Sequence, residues 1–335
     1  MTAVEQEERR RTLASPVFGG VPPRNANFTG RADLLQELER RLVRGGTAAV
    51  LPETLHGMGG VGKSHLAIEY AYRNRANFDL IWWVPAERSV KIVNSLVELG
   101  QRLELPVGSE ANVAVQQVLD ALRSGNHPKV PTNWLLIFDN ADSPDVVQQY
   151  LPTGGTGRIL VTSRNSQWLS VARPLEVNVF QRAESVQLLR RRDPELSEED
   201  ADRLAHALGD LPLAIAQAAA WRVETGMPAA EYLELLAEKQ LELLNVTTTL
   251  DYPESVAAMW DLSLNELKRK NPSALRLLQV CAFLAPEPIN RKMFTYSRNI
   301  TDVPAELSRV LRDGLRLNEA IRDINRFALV RVDHR

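Results

Sequence analysis

Cysteine is almost absent from this 335-residue chain, and it has no long apolar run. The single cysteine, Cys281, excludes a disulfide within the chain and favours a reducing compartment. No apolar stretch approaches the roughly 18 residues that cross a bilayer, and the charged N-terminus lacks the pattern of a signal peptide. Net charge is only −2, so composition favours neither nucleic acid nor an anionic membrane as a partner. We therefore expect a cytoplasmic globular protein without a membrane partner.

The rest of the composition is ordinary for a soluble protein, with 44% hydrophobic and 24% charged residues. The length suits two or three domains with real cores. Residues 1–25 are charged and then rich in proline and glycine, which predicts a flexible N-terminal arm.

The most informative stretch is residues 57–64, which fit the phosphate-binding pattern G-x-x-x-x-G-K-[ST]. Glycines let the backbone turn tightly and present its N–H groups to phosphate oxygens, and the following helix adds its positive end. In this pattern Lys63 reaches the β- and γ-phosphates and the Ser64 hydroxyl binds Mg²⁺. The nucleotide-binding residues predicted from this loop are Gly57, Met58, Gly59, Gly60, Val61, Gly62, Lys63, Ser64 and His65.

Apolar runs alternate with helical patterns up to about residue 180. Strands are predicted at 48–55, 80–85, 134–139, 157–162 and 175–179. This alternation indicates an α/β domain with a parallel sheet and helices on both faces, so residues 26–180 are predicted to form a P-loop NTPase domain. Ligands of such sheets bind at the carboxyl ends of the strands.

Charged residues follow two of these strands. Asp139 ends an apolar strand about 75 residues after the P-loop lysine, which is the position of an acid that holds Mg²⁺. Asp142 could polarise the attacking water or cap a helix, and Arg164 could sense the γ-phosphate or be a surface charge. The predicted catalytic residues are thus Lys63, Asp139, Asp142 and Arg164, with Ser64 and Asp139 as Mg²⁺ ligands.

The strand pattern ends at residue 181. Residues 181–250 are predicted to form an all-helical domain, with a helix that begins at Ser197 and another that contains Pro212 in its first turn. Helices in 251–335, followed by an apparent strand at 327–332, predict a winged-helix domain. Because that strand has no hairpin partner, we expect the domain to be incomplete.

Together these motifs resemble the NB-ARC family of STAND-class P-loop ATPases, over residues 27–335. Residues 27–31 (NFTGR) resemble the family motif that lies against adenine, and 209–214 (GDLPLA) resemble the motif whose proline packs on adenine from the helical domain. Residues 135–142 (LLIFDNAD) resemble its Mg²⁺-binding strand and 159–165 (ILVTSRN) its sensor motif, which makes Arg164 the γ-phosphate sensor. The resemblance adds four nucleotide contacts: Phe28, Arg31, Pro212 and Leu213.

The resemblance implies a nucleotide-dependent switch in signalling or defence, similar to bacterial members that continue into tetratricopeptide repeats. ADP would hold the protein closed, and ATP with Mg²⁺ would open it for homo-oligomerisation, with slow hydrolysis as the reset. From the resemblance we expect the C-terminal sensor domain to be absent from this chain. Two departures matter. Asn140 stands where many members have a second acid, and His334 comes too early to be the family's ADP-binding histidine.

Two other functions are compatible with parts of the sequence. A DNA-binding regulator would use Arg316, Arg322 and Arg326 on the last predicted helix, but acidic residues interleave with them, so a solvated face is favoured and nucleic acid is the weaker expectation. A P-loop kinase would need an acceptor motif, which the sequence lacks.

Overall fold

The computed structural model describes most of the chain. The described residues are 16–42, 53–106, 108, 110–125, 127–246, 264–265, 267–284, 289–296, 303–326 and 329–330.

Six parallel strands form one sheet in the order β1-β3-β4-β5-β2-β6. The strands are Val17–Gly19 (β1), Glu53–His56 (β2), Leu80–Pro85 (β3), Trp134–Asp139 (β4), Arg158–Ser163 (β5) and Arg173–Glu176 (β6). Strands β3 and β4 have the predicted bounds, and β5 and β6 lie within two residues of theirs at their N-terminal ends. The parallel sheet predicted for a P-loop NTPase is confirmed.

Helices cover both faces of the sheet. They are Ala32–Leu42 (α1), Lys63–Arg73 (α2), Ser89–Arg102 (α3), Ala111–Ser124 (α4) and the short Pro144–Val147 (α5). Side chains along β4 alternate between two apolar cores: Leu135 and Ile137 face the core that contains α1 and α2, while Leu136 and Phe138 face the core that contains α3 and α4. This alternation explains why the buried strand is apolar throughout.

A helical unit follows the sheet. It contains Arg182–Arg192 (α6), Glu198–Ala207 (α7), Pro212–Thr225 (α8) and Ala229–Val246 (α9). Ser197 caps α7 by accepting a hydrogen bond from the Asp200 amide, and Pro212 is the first residue of α8. The apolar side chains of the helical unit belong to the same core as those of α1 and α2. The helical unit is therefore packed onto the P-loop unit through a continuous apolar core.

The C-terminal part has its own apolar core. Its helices with described bounds are Pro272–Ala282 (α10), Lys292–Tyr296 (α11), Ala305–Arg312 (α12) and Gly314–Arg326 (α13). Buried Leu317 and Ile324 lie on one face of α13. The winged-helix assignment stays a prediction, because most of 327–332 and all of 331–335, including His334, lie outside the described residues.

The outer face of α13 bears on the DNA-binding alternative. Arg316 lies 3.6 Å from Asp313 and Arg322 lies 3.4 Å from Asp323, measured between guanidinium and carboxylate atoms. Carboxylates beside the arginines reduce the positive potential that phosphate binding needs. The structure therefore favours the solvated-face interpretation over a DNA contact.

One domain boundary is wrong. The flexible arm predicted for residues 1–25 does not hold for 16–25, because β1 pairs with β3 and the chain then continues along the P-loop domain. Residues 1–15 lie outside the described part. The physical reason is that three residues suffice for an edge strand when an apolar neighbouring strand supplies the pairing partner.

Candidate nucleotide-binding site

The loop between β2 and α2 has the backbone geometry of a phosphate-binding turn. Gly60 and Gly62 have φ angles of +81° and +92°, which favour glycine. A Cβ atom at Gly57 would lie 2.2 Å from the backbone carbonyl oxygen of Val177. The close approach of this backbone segment therefore also requires glycine at position 57. The loop is therefore shaped to present its backbone at the N-terminus of α2.

Lys63 is the first residue of α2 and is buried. Its ammonium group donates hydrogen bonds of 2.7 Å to the carbonyl oxygens of Gly57 and Met58. Burial, together with the positive charge of Arg164, lowers the pKa of Lys63 to about 7. The amine thus lies inside the loop and close to Arg164, in surroundings where an anion would stabilise its charged form.

Asp139, at the end of β4, accepts hydrogen bonds from two hydroxyl groups. Ser64 Oγ donates to Asp139 Oδ1 over 2.7 Å, and Thr162 Oγ1 donates to the same oxygen over 2.6 Å. Burial raises the pKa of Asp139, while these hydrogen bonds oppose that rise. A carboxylate beside a serine hydroxyl is the kind of oxygen donor set that Mg²⁺ accepts. The residues present therefore fit the predicted metal ion.

The other two predicted catalytic residues are Arg164 and Asp142. Arg164 follows β5 and is half-buried. Asp142 is exposed, and its backbone carbonyl oxygen accepts a hydrogen bond from Trp168 Nε1 over 3.0 Å. The helix-cap alternative for Asp142 is wrong, since Ser143 is the residue preceding α5. The catalytic roles of Arg164 and Asp142 stay predictions.

Arg31 connects the P-loop to the start of the helical unit. Its buried guanidinium donates to the carbonyl oxygens of Val61 (3.1 Å), Asn178 (2.6 Å) and Val179 (3.3 Å). The guanidinium carbon also lies 4.7 Å from the centre of the Phe180 ring. These contacts show that the arginine holds backbone segments together beside the predicted base site.

A pocket open to solvent lies beside the P-loop. It brings together six residues that the sequence predicted as nucleotide contacts: Phe28, Arg31, Val61, Gly62, His65 and Pro212. It also contains residues that sequence reasoning missed: Asn25, Asn27, Thr29, Phe180, Leu188, Arg192 and Ala216. Their proximity to recognisable motifs was the available signal, because the first three lie within or just before the NFTGR stretch.

The helical unit contacts the P-loop directly. The Leu213 amide donates to the Gly60 carbonyl oxygen over 3.2 Å, and a Cβ atom at Gly60 would lie 3.3 Å from Leu213 Cβ. Arg182 holds the loop before α8 by donating two 2.8 Å hydrogen bonds to Asp210. Residues of the GDLPLA stretch therefore lie against the P-loop, and Pro212 lines the pocket.

The described part of the chain lacks two kinds of feature. Among these residues, no helix has the length and hydropathy of a membrane span. Nor do any three histidine, cysteine, aspartate or glutamate residues gather there as metal ligands. The predicted serine–aspartate site would belong to a different class, in which phosphate oxygens and water supply the remaining Mg²⁺ ligands.

Comparison with known proteins relates about half of the chain to a known family. The NB-ARC domain family matches residues 31–193. A nucleotide-binding leucine-rich repeat (NLR)-like protein of Hyaloscypha variabilis is 24% identical, over 84% of this chain and 32% of the relative. Regulatory protein AfsR of Streptomyces griseus is 27% identical, over 77% of this chain and 27% of the relative. The chain thus spans at most about a third of either relative.

A solved structure extends the likeness beyond the matched domain. A Walker-type ATPase of Pyrococcus abyssi aligns with a TM-score of 0.59 at 14% identity, covering 91% of this chain and 92% of that one. At this identity the likeness concerns the fold alone, which is that of a P-loop NTPase.

Proposed function

Because residues 31–193 belong to the NB-ARC family of P-loop ATPases, we propose that the chain is the nucleotide-dependent switch of a longer signalling or defence protein. ADP holds the closed state, and ATP with Mg²⁺ favours an open state that forms homo-oligomers. Hydrolysis is slow and resets the switch. A bacterial host and a cytoplasmic location are part of this proposal, and the Streptomyces relative named as a regulatory protein supports the signalling role.

The observation that carries the proposal is that one pocket is lined by both units. Val61 and Gly62 come from the P-loop, while Pro212 and Ala216 come from α8. A ligand can shift a conformational equilibrium only if it binds the two states with different affinity. A nucleotide in contact with both units meets this condition, because separating the units would remove part of its surroundings.

The chemical roles follow from the positions of the side chains. Lys63 would bind the β- and γ-phosphates, and Ser64 and Asp139 would hold Mg²⁺, which supplies charge neutralisation at the phosphates. Arg164 would contact the γ-phosphate and thereby distinguish ATP from ADP. Asp142 would orient the attacking water.

The test is to denature the purified protein and identify the released nucleotide by chromatography, with its stoichiometry. We expect close to one ADP per chain. A protein that is empty, binds ATP and turns it over rapidly would contradict the switch and indicate an ordinary ATPase. Size measurements with ADP and with a non-hydrolysable ATP analogue then test the proposed oligomerisation.

Pro212→Ala is expected to weaken ADP binding about fivefold, through loss of about 1 kcal/mol of apolar contact in the pocket. Alanine is tolerated at the first position of α8, so the P-loop contacts should persist. Calorimetric titration with ADP and with inorganic pyrophosphate measures both effects. Equal affinity of variant and wild type for ADP would exclude Pro212 from the nucleotide site.

A further inference from the structure

The N-terminal segment 17–31, here called the strap, follows the P-loop helix α2 along its whole length. At the C-terminal end of α2 the ring of Phe18 packs edge-on against Tyr72, with centroids 5.1 Å apart. One turn earlier, Arg24 pairs with Glu69. The strap therefore approaches the P-loop by running antiparallel to the helix that begins there.

Glu69 is the anchor of the strap. Its side chain is only 3% exposed and accepts hydrogen bonds of 2.9 and 2.8 Å from the Arg24 guanidinium, with a further 2.6 Å bond from Arg73. Bidentate pairing of arginine with a carboxylate fixes orientation as well as distance. The two arginines lower the pKa of Glu69 despite its burial, so the carboxylate stays charged. Glu69 itself is not among the pocket residues.

The residues of the strap that line the pocket begin directly after Arg24. Asn25, the residue next to Arg24, lies 3.5 Å from His65 through their side-chain nitrogens, and both line the pocket. Asn27, Phe28 and Arg31 then complete this wall. The phosphate-binding loop adds Val61 and Gly62 to the same pocket and is shaped by its own glycines and by Lys63.

We propose that Glu69 and Arg24 are positioning residues, which hold the base-and-ribose end of the nucleotide pocket through the strap and leave the phosphate end untouched. The inference rests on the proposed function, because it concerns the same nucleotide. It separates two halves of the site: α2 supplies the phosphate contacts at its N-terminus, and its outer face fixes the wall that meets the nucleoside.

The experiment compares ADP with inorganic pyrophosphate, which lacks the nucleoside, in titrations of the full chain. Arg24→Ala is expected to weaken ADP about tenfold and to leave pyrophosphate affinity within twofold of wild type. The Arg24 side chain is 51% exposed, so its removal should be tolerated by the fold. Glu69→Gln should give the same split, and Arg24→Lys, which keeps the charge but loses the bidentate geometry, an intermediate value.

Arg40→Ala is the matched control. Arg40 makes a bidentate pair with Glu37 at 2.7 and 2.6 Å on α1, away from the pocket, and its side chain is 64% exposed. It should change neither affinity. If Arg24→Ala lost ADP and pyrophosphate affinity equally, the effect would be general and the proposal would be overturned. An unchanged affinity of Arg24→Ala for ADP would also overturn it. A wild-type protein that binds pyrophosphate but not ADP would overturn the proposed function and this inference together.

Discussion

Replacing Lys63 with alanine is expected to weaken binding of ADP and ATP by roughly a hundredfold or more, because removal of a buried charged donor costs about 3 kcal/mol. In the structure the ammonium group is enclosed by the loop and bonded to the Gly57 and Met58 carbonyl oxygens. Alanine cannot replace its contact with phosphate oxygens. Nucleotide retained after purification, followed by titration with ADP, measures the effect.

The same variant should fold normally. The pKa of Lys63 is lowered from 10.5 to about 7 in the folded protein, so the unfolded chain binds more protons between these values. Wild-type stability therefore receives a contribution that rises with pH across this window, and Lys63→Ala removes that rise. Thermal unfolding of both nucleotide-free proteins at pH 7 and pH 9 tests this directly.

Lys91→Ala is the matched control, because Lys91 forms an exposed ion pair with Glu87. It should leave nucleotide retention unchanged. Undiminished retention by Lys63→Ala would show that the loop does not bind phosphate through this lysine. Loss of retention together with a lower melting temperature at every pH would instead indicate a folding defect.

The central strands could be predicted from sequence because they are buried on both faces. Leu80–Pro85 and Trp134–Asp139 are continuous apolar runs, and their bounds in the structure match the prediction. Parallel strands covered by helices need no polar face, so their pattern is strong. The placement of Asp139 at the carboxyl edge followed from the same reasoning.

The edge strand β1 could not be predicted in this way. Its three residues include a glycine, and its pairing partner β3 begins about 60 residues later. Short edge strands depend on the neighbour for their conformation, so local composition misidentified the segment as part of a flexible arm. The helix Ala305–Arg312 differs from β1 in that its local sequence is sufficient to predict it. Leu307, Val310 and Leu311 have the spacing of one helix face.

Arg31 shows what a family resemblance does not contain. The NFTGR motif placed the residue against the predicted base, and the structure does place it at the pocket. Its guanidinium, however, is bonded to carbonyl oxygens of the P-loop and of residues 178 and 179. Those acceptors are separated from Arg31 by 30 to 148 positions, so only the tertiary structure could reveal them.

Asp139→Asn is expected to abolish the Mg²⁺-dependent gain in ATP affinity and to lower hydrolysis by roughly a hundredfold, while ADP binding without Mg²⁺ persists. The amide oxygen can still accept from Ser64 and Thr162, so the hydrogen bonds of the site need not change. Burial already raises the pKa of this carboxyl, and a neutral amide removes the cost of burying its charge. The fold should therefore survive.

Titrations of ATP and ADP with and without Mg²⁺ separate these effects, and exposed Asp145→Asn is the control that should behave as wild type. Retention of the full Mg²⁺ effect in Asp139→Asn would remove Asp139 from the metal site. Equal loss of both nucleotides would show that the residue acts on the fold. Because Asn140 follows Asp139 in place of a second acid, a single carboxylate should carry the metal contact, and one substitution should therefore be enough to remove it.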